Sequence, residues 1–223
     1  MEQAPRIILF GKQGAGKGTQ AHLLLARKNL EHLSTGDIFR AAIKENTPAG
    51  KEARSFIDQG ELIPDETVIR VVQEKFETTP ELVSKGFVLD GFPRTEIQAY
   101  ALEKLLVEKN APIHCAINME IERDIVLTRL TGRRVCIECG TNYHVEKPPT
   151  KAWTCDVCGG DVRQRKDDSE LAINRRLDLY EIETLPLLKF YEERKLLDKV
   201  DAIGTTEEVY ARIEKVIETR TNV

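Results

Sequence analysis

Apolar and polar positions alternate along this chain in two rhythms that take turns. Arg6–Phe10 is a short apolar run ending at a glycine-rich turn, the pattern of a strand buried on both faces. Gly16–Lys28 then has helical spacing, and Asp37–Lys44, Gly50–Ile57 and Asp65–Phe76 repeat it, punctuated by Pro48 and Pro64. Gly86–Leu89 and Ile113–Ile117 predict two further buried strands. A helix over Thr95–Glu108 separates them and another over Glu120–Leu130 follows. From Thr131 to about Asp168 the periodicity stops, and Gly, Pro, Cys and aromatic residues take over. Ser169–Lys195 predicts a long helix that Pro186 should kink or interrupt. Leu197–Val200 predicts a short strand, and Thr205-x-x-Glu208 is a capping-box signal for a last helix to about Arg220. Buried strands alternating with helices imply an α/β fold, a parallel sheet with helices on both faces. The break at 131–168 implies a small insert between two of those helices.

Composition narrows this picture. A chain of 223 residues allows one substantial core plus a small insert. The formal net charge is −4, so any site for a polyanion must be a local concentration of Lys and Arg. This argues against a nucleic-acid partner. The longest apolar runs, such as Ile7-Ile8-Leu9-Phe10, are far too short to span a bilayer, so no membrane partner is expected. Met1–Arg6 lacks the basic and apolar regions of a signal peptide, and a cytoplasmic location is the expectation. Four of the five cysteines form two close pairs, which in a reducing compartment are more often metal ligands than disulfides.

Gly11-Lys12-Gln13-Gly14-Ala15-Gly16-Lys17-Gly18-Thr19 follows the first strand and opens the first helix. That is the context of a phosphate-binding P-loop. Glycines let the backbone wrap a phosphate chain, and the N–H groups at the helix start point at the anion. Lys17 adds a point charge for the β- and γ-phosphates. The bland alternative is a glycine-rich turn with no ligand. Gly18 stands where a P-loop usually carries the Mg²⁺-touching hydroxyl, and Thr19 comes one residue later.

Gly11–Gln20 resembles the opening of the adenylate kinase family. Ser34-Thr35-Gly36-Asp37, Asp90-Gly91-Phe92-Pro93-Arg94, Gly132-Arg133-Arg134-Val135, Arg165-Lys166-Asp167-Asp168 and Arg175-Arg176-Leu177 resemble further segments of it in the same order. One departure is Gln13, where the family usually has proline. The resemblance implies a P-loop core made of residues 1–33, 64–131 and 169–223. It implies a helical segment, 34–63, that closes over a monophosphate, and a lid, 132–168, that closes over a triphosphate. The reaction it implies is MgATP + AMP ⇌ 2 ADP on a monomer.

That reaction needs no general base, because the accepting phosphate oxygen is already anionic. It needs fixed positive charge and exclusion of water. Several arginines from different segments are therefore expected, and no catalytic His. By resemblance the catalytic set is Lys17, Arg94, Arg129, Arg133, Arg165 and Arg176. Arg129 and Arg133 are spaced to share a face if the helix runs through both. On the ATP side stand Gly14, Ala15, Gly16, Lys17, Gly18, Thr19, Arg129, Arg133, Asn142, Tyr143 and Gly204. On the AMP side stand Thr35, Arg40, Glu61, Leu62, Ile63, Gly91, Phe92, Pro93, Arg94, Gln98, Arg165 and Arg176. Arg134, Arg163 and Arg175 read as surface or lid charges. Asp90 resembles the acid that holds Mg²⁺ waters, with a turn-capping role as the alternative. Thr35 and Gln98 resemble adenine readers, but each also fits a helix cap.

Cys136-x-x-Cys139 and Cys155-x-x-Cys158 are fifteen residues apart, within the range of structural zinc sites. Gly140 and Gly159 follow the second Cys of each pair, where a tight turn around a metal is required. Two disulfides, a redox pair or a nucleic-acid ribbon are the other readings. Residues 132–168 carry seven Lys or Arg and six acidic residues, too balanced for the last of these. Zinc is the first expectation, and tetrahedral thiolates also accept Fe or Co. Cys115 reads as a core thiol, and the four histidines show no joint spacing. A kinase for UMP, CMP or GMP, and a P-loop switch without phosphotransfer, are the competing functions.

Overall fold

The computed structural model describes residues 4–165 and 167–221, so Lys166 of the Arg165–Asp168 motif lies outside the described residues. Five parallel strands form the central sheet: β1 (Arg6–Phe10), β2 (Glu31–Ser34), β3 (Phe87–Asp90), β4 (Cys115–Glu120) and β8 (Leu197–Asp201), in the order β2-β3-β1-β4-β8. β1 lies at the centre, with Ile8 opposite Leu89 on one side and Ala116 on the other. Alternate residues of β1 feed opposite cores. Ile8 and Phe10 join Phe39, Phe76, Phe87 and Phe92 on one face, while Ile7 and Leu9 join Leu24, Val126, Ile213 and Ile217 on the other. A strand buried on both faces must be apolar throughout, which is why it is legible as an unbroken run.

The helices are α1 (Lys17–Lys28), α2 (Thr35–Lys44), α3 (Pro48–Gln59), α4 (Asp65–Thr78), α5 (Glu81–Ser84), α6 (Glu96–Glu108), α7 (Arg123–Gly132), α8 (Glu170–Leu179), α9 (Leu185–Glu193) and α10 (Thr206–Thr221). One strand was not predicted, one helix boundary moves, and the break expected at Pro186 takes a particular form. The edge strand β2 has no apolar run, since Glu31 and His32 are only half-buried and polar. Glu120, expected to open a helix, is the last residue of β4, and α7 starts at Arg123. The long helix over 169–195 is divided by a π-helical turn, Tyr180–Thr184, directly before Leu185-Pro186. A wider turn there accommodates the missing N–H and the ring of Pro186. At the last helix the capping box is complete. Glu208 N–H donates to Thr205 Oγ1 at 3.3 Å, and Thr205 N–H donates to Glu208 Oε2 at 2.7 Å.

Between α7 and α8 the chain forms a second, antiparallel sheet of β5 (Arg133–Cys136), β6 (Asn142–His144) and β7 (Val162–Arg163), in the order β6-β5-β7. Its only cluster of buried residues among those described is Cys136, Cys155 and Val162, with Tyr143 against it. At its entry Gly132 lies under the His144 ring, where an added Cβ would come within 1.9 Å of Nε2. No other residue fits that corner without moving the ring.

Candidate active site

β1 delivers the chain into a loop whose glycines take left-handed conformations, Gly14 at φ +84° and Gly16 at φ +101°. These are open to glycine at no steric cost. Gly16 is the N-cap of α1, which has neither a side-chain cap nor an acidic residue in its first turn. The first N–H groups of α1 are thus available to an anion. Lys17 folds back over the loop, donating to Gly11 O at 2.7 Å and Lys12 O at 3.1 Å. Desolvation brings the Lys17 ammonium down to about 8; Asp90 opposes this, and Arg94 and Arg133 add to it.

The carboxyl ends of β1, β2 and β3 open onto a cavity of about 1390 Å³. A single drug-sized ligand needs roughly 300–1,000 Å³, so this volume suits two nucleotides. Every residue assigned above to ATP or AMP lines it. They arrive from the P-loop, α2, the 60–63 connection, the β3–α6 loop, α6, α7, the small sheet, the β7–α8 connection, α8 and the β8–α10 connection.

The arginines are held in an ordered cluster. Arg133 makes a two-bond fork to Asp168, Nε donating to Oδ2 at 2.8 Å. Arg165 forks to Asp167, and Arg176 donates to the same carboxylate at 2.8 Å. Burial pushes the Asp167 carboxyl up, but the Arg165 bonds and the Arg165, Arg176 and Arg40 charges hold it well below the usual carboxylate range. Burial brings Arg94 down to about 10, with the Arg176 charge adding to this and Asp90 opposing it. Arg94 donates to Gly91 O at 2.9 Å, and Arg40 pairs with Asp37. Arg129 reaches the loop carbonyls of Gly14 and Ala15 at 3.4 Å each and Ala202 O at 3.2 Å. The helix does not run through Arg129 and Arg133, because α7 ends at Gly132 and Arg133 begins β5. Both nevertheless line the same cavity. Of the arginines read as surface charges, Arg163 pairs with Asp161, Arg175 with Glu61, and Arg134 lies over the Trp153 ring.

The caps differ in part from expectation. Ser34, not Thr35, caps α2, accepting from Asp37 N–H at 3.2 Å. Thr35 is freed to donate to Gly91 O at 2.9 Å, beside Arg94. Thr95 does cap α6, accepting from Gln98 N–H at 3.3 Å. The Gln98 amide accepts from Arg94 N–H at 2.8 Å and donates to Asp65 Oδ1 at 2.7 Å, leaving one N–H and one lone pair for a ligand. Asp65 was not legible as a site residue, since its contact spans 33 positions. Two histidines with no sequence relation also meet. His22 lies edge-on to His32 at 5.7 Å, and His32 Nε2 sits 3.9 Å from Asp90 Oδ2.

In the small sheet the four thiols converge. Cys136 Sγ is 3.5 Å from Cys158 Sγ, Cys139 Sγ is 3.5 Å from Cys155 Sγ, and all four lie within 4.8 Å of one another. A tetrahedral zinc with bonds of about 2.3 Å has edges of about 3.8 Å, so the donor set fits a metal. Gly140 and Gly159, both at φ +76°, close the two turns, their N–H groups donating to Cys136 O and Cys155 O. Tyr143 has a part here beyond its place in the cavity lining: its hydroxyl donates to Cys155 Sγ at 3.4 Å and accepts from Asp156 N–H at 2.8 Å.

A family model described as adenylate kinase matches residues 9–196. The chain belongs to the adenylate kinase family. An adenylate kinase of Bacillus mycoides is 48% identical over 212 residues, 95% of this chain and 97% of that protein. Those of Clostridium perfringens and Carboxydothermus hydrogenoformans are each 46% identical, over 95% and 96% of this chain and 98% and 99% of theirs. Membership accounts for the order of the motifs along the chain. The geometry adds how the arginines among them are held.

Proposed function

We propose that the chain is an ATP:AMP phosphotransferase, moving the γ-phosphoryl group of MgATP to AMP to give two ADP and so balancing the adenine nucleotides. The observation that carries this reading is one cavity, sized for two nucleotides, into which Lys17 and six arginines converge from separate segments. An AMP phosphate oxygen attacks the γ-phosphorus in line, the bond to the β–γ bridging oxygen breaks, and that oxygen leaves on ADP. The charge that spreads over the transferring group meets donors already oriented by carboxylates and carbonyls, so little reorganisation accompanies the step.

In this reading Lys17 and the α1 N-terminus hold the ATP phosphates, with Arg129, Asn142, Tyr143 and Gly204 on the same side. Arg40 and Arg94 hold the AMP phosphate, and Thr35 and Gln98 read its adenine. Arg133, Arg165 and Arg176 bracket the transferring group. Segments 34–63 and 132–168 close over the two substrates and exclude water. Magnesium would arrive with ATP, its waters held by Asp90, and would supply charge neutralisation. Zinc would be held by the four cysteines and would supply lid stability, with Fe or Co as other tetrahedral choices. The family likeness suggests a monomer. Paired thiols and these substrates fit a cytoplasmic setting. Among the described residues no helix is long and apolar enough to cross a membrane.

The test is a panel of monophosphates with MgATP, following ADP formation. AMP should be the fastest acceptor. Faster turnover of UMP, CMP or GMP would overturn the adenine assignment, and nucleotide binding without ADP formation would overturn the reaction.

A further inference from the structure

One side chain of the phosphate loop reaches into the arginine cluster and has no role in the account so far. Gln13 occupies the loop position at which the family usually carries proline. With its amide turned so that the oxygen faces the two guanidiniums, the orientation that gives both of them an acceptor, it accepts from Arg176 Nη1 at 2.8 Å and from Arg133 Nη2 at 3.1 Å. The two guanidiniums come from different parts of the chain, Arg133 from the start of β5 and Arg176 from α8. Each already has a carboxylate partner on the far side of the small sheet's return, Asp168 for Arg133 and Asp167 for Arg176. Two like charges this close repel, and an oxygen shared between them offsets the repulsion while fixing their spacing. A neutral oxygen does so without cancelling charge. A carboxylate in its place would compete with phosphate for the same donors, and proline would offer no acceptor at all.

We propose that Gln13 is a positioning residue for phosphoryl transfer: its amide oxygen yokes Arg133 to Arg176 over the phosphate loop and thereby docks the entry of the lid onto the core. Without it, Arg133 is tied through Asp168 to the lid alone. The inference rests on the reading that these two arginines act on the transferring group.

Gln13→Leu removes the acceptor at similar size, and Gln13→Ala removes it without added bulk. Steady-state kinetics should show kcat lowered about tenfold in both, as expected for loss of a bond to a charged donor. KM for AMP and for MgATP should stay within about threefold, because the lost contact orients groups needed in the transition state. Hydrogen exchange of the hinge amides from Gly132 to Val135 should accelerate in the free protein. Gln13→Glu restores an acceptor: hinge protection should return, while KM for MgATP rises as the carboxylate competes with phosphate. Unchanged kcat and unchanged hinge exchange in Gln13→Leu and Gln13→Ala would overturn the proposal. Arg133→Ala and Arg176→Ala, measured beside them, separate the two levels. If those variants lose turnover while the Gln13 variants do not, the positioning role alone fails. If the arginine variants also keep full turnover, the assignment of the arginines fails and the role of Gln13 falls with it.

Discussion

The central sheet and the lid solve the same problem of staying folded by different physics. The sheet is clad on both faces: Ile7, Ile8, Phe87, Val88 and Leu89 have no exposed surface, and each is surrounded by helices. Among the described residues the lid has one small hydrophobic cluster, Cys136, Cys155 and Val162, two of them cysteines, while Ile137, Val145, Trp153 and Val157 stand exposed. Burial alone offers little to so small an insert, and four converging thiols that could hold a metal stand where a core would be. The lesson concerns where chemistry can be put. Lys17 and Arg94 stand on the core side of the cavity, whereas Arg133 begins β5 and Arg165 follows β7, at the two segments by which the lid joins the core. Of the four cysteines, Cys136 and Cys139 line the cavity, while Cys155 and Cys158 stand outside it. Stability and transfer can then be broken separately.

The largest effect should follow from opening the sheet's core. Phe87, fully buried and edge-on to Phe76 at 5.4 Å, should cost about 3–5 kcal/mol when changed to Ala. Denaturant unfolding measures this, and a loss below about 1 kcal/mol would mean the site collapses around the gap. Cys155→Ser breaks only the lid. The apparent melting temperature should fall by about 5 °C or more, with amide exchange accelerating in 132–168 and spared in the sheet. Exchange rising equally in both regions would erase the distinction between them.

The smallest effect concerns the core side of the cavity. Lys17 sits at about 8 in the free protein, and bound phosphates favour its charged form. Nucleotide binding should therefore take up a proton above that pH. Affinity should be flat from about pH 7 to about pH 8 and then fall by up to about tenfold per unit as Lys17 loses its proton. Titration calorimetry in buffers of different ionisation enthalpy reads the proton directly. Affinity that stays flat to about pH 10 would show that Lys17 is not coupled to the phosphates.

Much of this molecule was legible because its signals are local. The P-loop, the cysteine pairs, the Thr205 capping box and the doubly buried strands each announce themselves within a few residues. What escaped depends on distant partners. β2 is an edge strand with Glu31 and His32 in it and shows no periodicity. The amide of Gln98 is fixed by Asp65 from another helix, and His22 meets His32 only because α1 lies against β2. Asp167 and Asp168 read as part of a charged motif, and only folding shows them to be the buried groups that hold Arg165, Arg176 and Arg133. The break of the long helix was expected at Pro186, but its form, a π-helical turn that ends two residues earlier, was not.

The claim that the lid's metal site holds structure while its hinge arginines perform transfer is tested most directly by one side-by-side rate. ADP formation from MgATP plus AMP should be followed at about 10 °C, well below any melting transition, for the native chain, Cys155→Ser and Arg133→Ala. The account predicts that Cys155→Ser retains turnover within about threefold, while Arg133→Ala loses about 10²–10³-fold, as for removal of a preorganised transition-state donor. Collapse of turnover in folded Cys155→Ser, or near-native turnover in Arg133→Ala, would contradict it.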